Sequence, residues 1–396
     1  MNNNLKKANL IIYLQSLLQF QGFIGPVIFI FYTKYMGLNT SQYLFCDSLL
    51  FLIMSVCEVP SGLISDYVGR KKMLIISQLF ICLGMMILLF VPSYTGAIIV
   101  SIIYGIFGAL QSGNSESILY EIYEKHNNIK YYENIQSKSR SVGFIFSIVY
   151  AVISGYVIEY NLALPVILDL IVCIILLIFT IILLDDSNYS KKEIIILANK
   201  KDIHNVIYII LVVSILFSCS RVMFSFYQPT LNAAKFPVVF MGYASAIYSL
   251  ITAGSAFFYK RMRELMTTRK MYILIISFQL LTGIGMVFVK NYFVIIFIFI
   301  QQFQRGLMGT FLYMQVNRYI NSKNRNRVSL MSIMYCIISI FTGISLYVTS
   351  IITKNIGFQN AILCYVIFIN LLLVLSIVLF VQKDRQNKLI RYDIGG

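Results

Sequence analysis

The chain has 396 residues, 59% of them hydrophobic and 12% charged, against roughly 25% charged in a soluble domain. So few charges cannot cover so much apolar surface, which excludes a soluble globular fold. The formal net charge of +16 would suggest nucleic acid in a soluble protein. Here the bases cluster between apolar runs and read as orientation signals, so no nucleic-acid partner is expected.

Twelve apolar runs follow in chain order, at about 8–33, 42–64, 73–91, 96–120, 139–160, 163–184, 206–228, 238–259, 271–289, 292–317, 330–352 and 359–381. Each is near the roughly 20 residues a helix needs to cross a bilayer. The expectation is an all-α membrane protein with membrane lipid as its solvent. Of the 32 Lys and Arg, all but Lys34, Lys235, Lys290, Lys354, Arg221 and Arg305 fall in the termini or in the 2–3, 4–5, 6–7, 8–9 and 10–11 loops. The positive-inside bias therefore predicts that both termini are cytoplasmic. An excess of Ile, Asn, Lys and Tyr suggests an AT-rich bacterial genome, hence a multi-pass protein of the bacterial cytoplasmic membrane.

Span one follows Lys6 and Lys7 and could pass for a signal peptide. It runs on too long and has no small-residue cleavage pattern, so it reads as a true span. Gln15 and Gln19 lie four apart on it, with Gln21 and Gly22 close by. Span two carries Asp47, Glu58 and Pro60 and ends in a charged turn, Gly62-Leu63-Ile64-Ser65-Asp66-Tyr67-Val68-Gly69-Arg70-Lys71-Lys72. Gly62 permits close helix approach and Gly69 a tight turn. Asp66 can accept from backbone donors at another helix start. Arg70 can pair with a carboxylate, and Lys71 and Lys72 suit anionic headgroups.

This G-x-L-x-D-x-x-G-R-K wording resembles the signature between the second and third helices of the major facilitator superfamily. The resemblance implies two pseudo-symmetric six-helix bundles that rock about a central cavity. The bundles would be residues 1–184 and 206–382, joined by a cytoplasmic linker at 185–205 and followed by a tail at 383–396. It also implies a conformational gate made of Glu58, Gly62, Asp66, Gly69, Arg70 and Lys71. In such proteins the acid docks near the start of the eleventh helix, here around Ser329, and Glu121 or Glu124 is a plausible mate for Arg70. Tyr67 replaces the basic residue common in the signature. The fifth span lacks the Gly-Pro pair of many proton-exchanging exporters, and the fourth keeps only Gly108 and Gln111 of its usual pattern. Glu58-Val59-Pro60-Ser61-Gly62, and Glu116 followed by Leu119-Tyr120-Glu121, look like bacterial efflux-type members.

A weak internal repeat agrees with two matched halves. Arg70-Lys71-Lys72-Met73-Leu74-Ile75-Ile76-Ser77 opens span three, and Arg269-Lys270-Met271-Tyr272-Ile273-Leu274-Ile275-Ile276-Ser277 opens span nine. The linker's Ile194-Ile195-Ile196-Leu197, flanked by lysines, suits either an amphipathic surface helix or a solvated connector.

Ionisable groups inside spans cost about 2.5–3.5 kcal/mol each at mid-bilayer and need a reason. Arg221 lies on a stripe with Ser214, Ser218, Ser225 and Gln228, spaced to share one helical face. Arg305 follows Gln301 by four residues and Gln304 by one. In the resembled fold spans one, four, seven and ten line the cavity. Arg221, Arg305, Gln301, Gln304, Gln15, Gln19 and Gln111 are therefore the substrate-binding candidates. A guanidinium offers a planar donor fork for carboxylate or phosphate. Alternatively, each arginine pairs with an acid or with helix carbonyls to lock the C-terminal bundle. Glu116 and Asp47 are the proton-coupling candidates; half of a buried pair is the alternative for Glu116, and a solvated structural role the alternative for Asp47. Asp169 reads as a solvated structural group near the surface, and Glu159 as interfacial. His126 and His204 fall in loops.

All seven cysteines lie in apolar runs and read as small buried hydrophobes. With no P-loop pattern and no His-Glu-x-x-His, neither a nucleotide, a cofactor nor a metal is expected, and the chain does not read as an enzyme. The expected function is a monomeric, proton-coupled secondary transporter of a small anionic or zwitterionic molecule. Export of an amphiphilic drug, metabolite or peptide-like compound leads; uptake of a small organic anion is the alternative.

Overall fold

The structure, a computed structural model, describes residues 3–18, 21–111, 123, 129–184, 200–319 and 327–368. The helices are α1 (Asn3–Leu17), α2 (Thr40–Val68), α3 (Arg70–Phe90), α4 (Tyr94–Gln111), α5 (Ile129–Tyr160), α6 (Leu164–Leu183), α7 (Lys200–Ala233), α8 (Val238–Leu265), α9 (Thr268–Phe288), α10 (Val294–Tyr319) and α11 (Arg327–Ile356). A twelfth, α12, is described over Phe358–Phe368. Among the described residues nine helices are long and apolar enough to cross a membrane, and there is no strand. This is the all-helical, twelve-helix architecture that the apolar runs predict.

The helix ends are where the sequence dictates them. Asn39 and Gln42 form a reciprocal capping box at the start of α2, at 2.9 and 3.0 Å. Thr267 caps α9 by accepting from Lys270 N. Between α2 and α3 the chain reverses at Gly69, whose φ of 95° and ψ of 136° suit only glycine. The tight turn expected there is present. Arg263 pins the corresponding 8–9 turn by donating 2.8 Å bonds to Met266 O and Thr268 Oγ1.

Contacts divide the chain into two units. The first comprises Met1–Ile194 and Phe236–Ser249; the second comprises Ile195–Lys235 and Leu250–Gly396. The first section of α8 thus groups with α1–α6. The reason is local: a Cβ on Gly155 of α5 would collide with the Val239 carbonyl, and one on Gly242 with the Ala151 carbonyl. The Tyr156 and Tyr243 hydroxyls also share a 2.6 Å hydrogen bond.

Inside the first unit, α2 and α4 pack through glycines. A Cβ on Gly105 would lie 2.8 Å from Ile53 and the Leu50 carbonyl, and Ser61 Oγ donates to Ala109 O at 2.9 Å. Gln78 of α3 bonds Thr180 of α6 at 3.0 Å. In the second unit, α7 and α11 are joined by Ser214 Oγ to Met334 O and Ser218 Oγ to Ile338 O, at 3.3 and 3.0 Å. Gln279 of α9 reaches Cys219 O of α7 at 3.2 Å. Such bonds average about 0.6 kcal/mol each in lipid, so they fix helix rotation more than they stabilise the fold.

The cysteines are free. Cys46, Cys82, Cys173 and Cys219 are buried as expected, whereas Cys57 and Cys336 are half-buried and Cys364 is exposed.

One reading is overturned in the first unit. Asp169 is fully buried, not solvated. Its Oδ1 accepts from Phe23 N at 3.0 Å and its Oδ2 from Ile24 N at 2.8 Å, and Gly22 N also bonds it. The physical cause is a break in span one. α1 stops at Leu17, Gln21 adopts a φ of 54°, and a short helical stretch restarts with Gly25 N bonded to Gln21 O. The first amides of a restarting helix have no partner of their own. Asp169 supplies one from α6, and Tyr150 of α5 donates to Leu17 O at 2.8 Å to satisfy the other broken end.

Candidate functional site

The second unit gathers both intramembrane arginines around one ring. Phe224 lies three residues after Arg221 on α7, close to one helical turn, so the two share a face. Arg305 comes from α10. The Arg305 guanidinium carbon is 4.3 Å and that of Arg221 5.1 Å from the Phe224 ring centroid. Each contact is a cation–π interaction worth about 0.5–2 kcal/mol. Phe224 and Tyr227 rings stand 5.0 Å apart, which extends an aromatic surface along α7. Gly306 brings α10 hard against α8: a Cβ there would strike Ser255 Oγ and the Thr252 carbonyl. The residue before it, Arg305, is exposed, and Arg221 is half-buried.

No acid of this half answers the two charges. Between Asp202 and Asp384 the sequence holds a single acidic residue, Glu264, exposed at the end of α8. Acidic partners within the C-terminal spans are therefore scarce for either arginine. The remaining internal alternative for Arg221 is polar groups of its own bundle. Two guanidinium forks beside an aromatic face can hold a carboxylate or phosphate through paired N–H donors while the ring covers an apolar portion.

The glutamines expected beside Arg305 point elsewhere. Gln301 is buried and its Nε2 faces Ser220 O of α7 at 3.5 Å, while Gln304, also buried, donates to Ile275 O of α9 at 3.2 Å. Both amide nitrogens are spent on helix packing, while the buried Oε1 atoms of Gln301 and Gln304 find no partner among the described residues. The polar stripe of α7 divides similarly: Ser214 and Ser218 turn to α11, Ser225 Oγ bonds Arg221 O at 3.4 Å, and Gln228 Nε2 donates to the Tyr227 hydroxyl at 2.6 Å. Only Arg221 of that stripe approaches Phe224.

In the first unit, Gln15 is half-buried in the last turn of α1, Gln111 half-buried at the end of α4, and Asp47 half-buried on α2. Nothing brings these three onto one ring or one partner. Gln19, Glu116, Glu121 and Glu124 lie outside the described residues, as do most of the linker and the tail. In the expected gate, Glu58 and Lys71 are half-buried and Gly69 makes the turn, while the side chains of Gly62, Asp66, Arg70 and Ser329 are likewise outside the described set. Among the described residues no group of His, Cys, Asp and Glu could hold a metal. Phe224, Tyr150 and the role of Asp169 were not singled out by sequence. An aromatic residue three positions from an arginine within an apolar run is the signal that would have found Phe224.

Comparison with known proteins places the chain. The Major Facilitator Superfamily profile matches residues 10–329, with a further match at 210–392. No curated protein sequence matches. Among solved structures, the nucleoside transporter NupG superposes with a TM-score of 0.72 at 14% identity, covering 96% of this chain and 99% of that one. A bacterial homolog of the human lysosomal transporter Spinster, inward-facing and unoccupied, gives 0.67 at 12% identity, with 94% of each chain covered. At such identities the likeness speaks for the fold alone. The chain belongs to the Major Facilitator Superfamily and is a secondary transporter that moves a small molecule by alternating access, not an enzyme.

Proposed function

We propose that this transporter carries a small amphiphilic anion or zwitterion, coupled to protons and in the direction of export. The observation that carries the reading is the pair of guanidiniums on the Phe224 ring in a half where the sequence between Asp202 and Asp384 holds one acid, Glu264. Two positive charges gathered on one ring within apolar helices favour a negative ligand, and the Phe224–Tyr227 surface favours one with an apolar part. Export follows the efflux-like wording around Glu58 and Glu116; uptake of a small organic anion is the alternative that the same arginines serve. Proton coupling draws on the acids of the N-terminal spans, Asp47 and Glu116 among them. The two six-helix bundles and the gate around Asp66 supply the alternation, with both termini cytoplasmic and a monomer as the working unit.

The test is flux in proteoliposomes under an imposed pH gradient of either sign. The panel pairs aromatic carboxylates and phosphates with neutral analogues, and nucleosides serve as one neutral arm because NupG is described as a nucleoside transporter. Gradient-dependent movement of an anion, lost in Arg305→Ala, supports the reading. A neutral or cationic compound transported equally well by that variant overturns it.

A further inference from the structure

We propose that Asp169 is a proton-binding site that opens and closes the break in span one. Its carboxylate is fully buried, and among the described residues no Lys, Arg or His pairs with it. The titratable groups that face it are Tyr150 of α5, Tyr104 of α4 and Cys173 of its own helix, with Cys82 of α3 and Tyr32 behind them. Tyrosines and cysteines are ordinarily neutral near pH 7. Among the described residues no charged side chain compensates the carboxylate, so a proton is the ion that can neutralise it in place.

The two charge states make different demands on the break. An ionised carboxylate is an acceptor only, and here it takes the amides of Gly22, Phe23 and Ile24 together. A protonated carboxyl brings an O–H donor where three donors already converge. The incoming proton bonds to one oxygen, which becomes a poorer acceptor, and its amide bond weakens. The segment so released is already under tension: Gln21 holds a left-handed φ of 54° without being glycine. Gly22 is confined against the Tyr150 ring, where a Cβ would lie 2.9 Å from the ring edge. Ionisation therefore fixes the angle between the two parts of span one, and protonation frees it. Gln15 sits in the last turn before the break, so the change reaches a helix expected to line the cavity.

The inference is independent of which molecule is carried, and its test uses protons alone. Purified full-length protein in lipid nanodiscs is followed by hydrogen exchange of the segment 21–28 across pH 5 to 9, corrected for intrinsic exchange. Protection of the Phe23 and Ile24 amides is expected to fall at least tenfold toward low pH in the native protein and to be pH-independent in Asp169→Asn. Infrared difference spectra of the native protein should show a protonated-carboxyl band over the same pH range, displaced in Asp169→Glu. The glutamate variant and the native titration keep the test decisive if the asparagine variant does not fold. Protection that is flat with pH in the native protein, or a carboxyl band unaffected by Asp169→Glu, overturns the proposal.

Discussion

The two halves share an architecture but treat charge in opposite ways. In the first unit a buried acid, Asp169, is held by backbone amides from a broken helix and has no basic partner among the described residues. In the second, two bases meet on Phe224, and Glu264 is the one acid of the sequence between Asp202 and Asp384. A repeated fold therefore does not repeat its chemistry. Negative charge in the first half is met by main-chain donors that are part of the fold, whereas the positive charges of the second are gathered on an aromatic ring.

Asp169→Ala should break this contrast most severely, because three amides lose their acceptor and each orphaned donor costs about 1–3 kcal/mol. Thermal unfolding of the purified protein measures it; a variant as stable as the native chain would remove the clamp from the account. Next, Arg305→Ala should lower anion transport about 10- to 100-fold, the equivalent of roughly 1.5–3 kcal/mol for a charged hydrogen bond. Its stability should hardly change. Phe224→Glu sharpens the comparison by placing an acid beside both arginines: stability is expected to hold or rise, while anion flux in vesicles collapses. Tyr150→Phe removes the single bond to Leu17 O, for about 1 kcal/mol in denaturation. Ser214→Ala should cost least, about 0.6 kcal/mol, since Ser218 still ties α7 to α11.

The sequence made the helices, the Gly69 turn and the two arginines readable, because hydropathy, a glycine-demanding reversal and charges in apolar runs are local signals. It misjudged whatever depends on rotation about a helix axis. Spacing places Ser214, Ser218 and Arg221 on one face but does not say that α11 covers the serines. Gln301 shares a face with Arg305, yet the shorter side chain ends on α7. Asp169 is near the start of α6, which suggests water, and only the distant break at Gly22 explains its burial. That break had no clear local sign beyond Gly22 and the Gly25-Pro26 pair, both tolerable in an unbroken span.

The broken first span also bears on how the chain is made. Its restarting amides find their acceptor 145 and 146 residues later. At about 5–20 residues per second the ribosome needs roughly 7 to 30 s to deliver it. Until then the opening hydrophobic segment sits in the bilayer with polar main-chain groups unsatisfied, a natural client for the insertion machinery, and reaches its final shape only once the sixth span has entered the lipid.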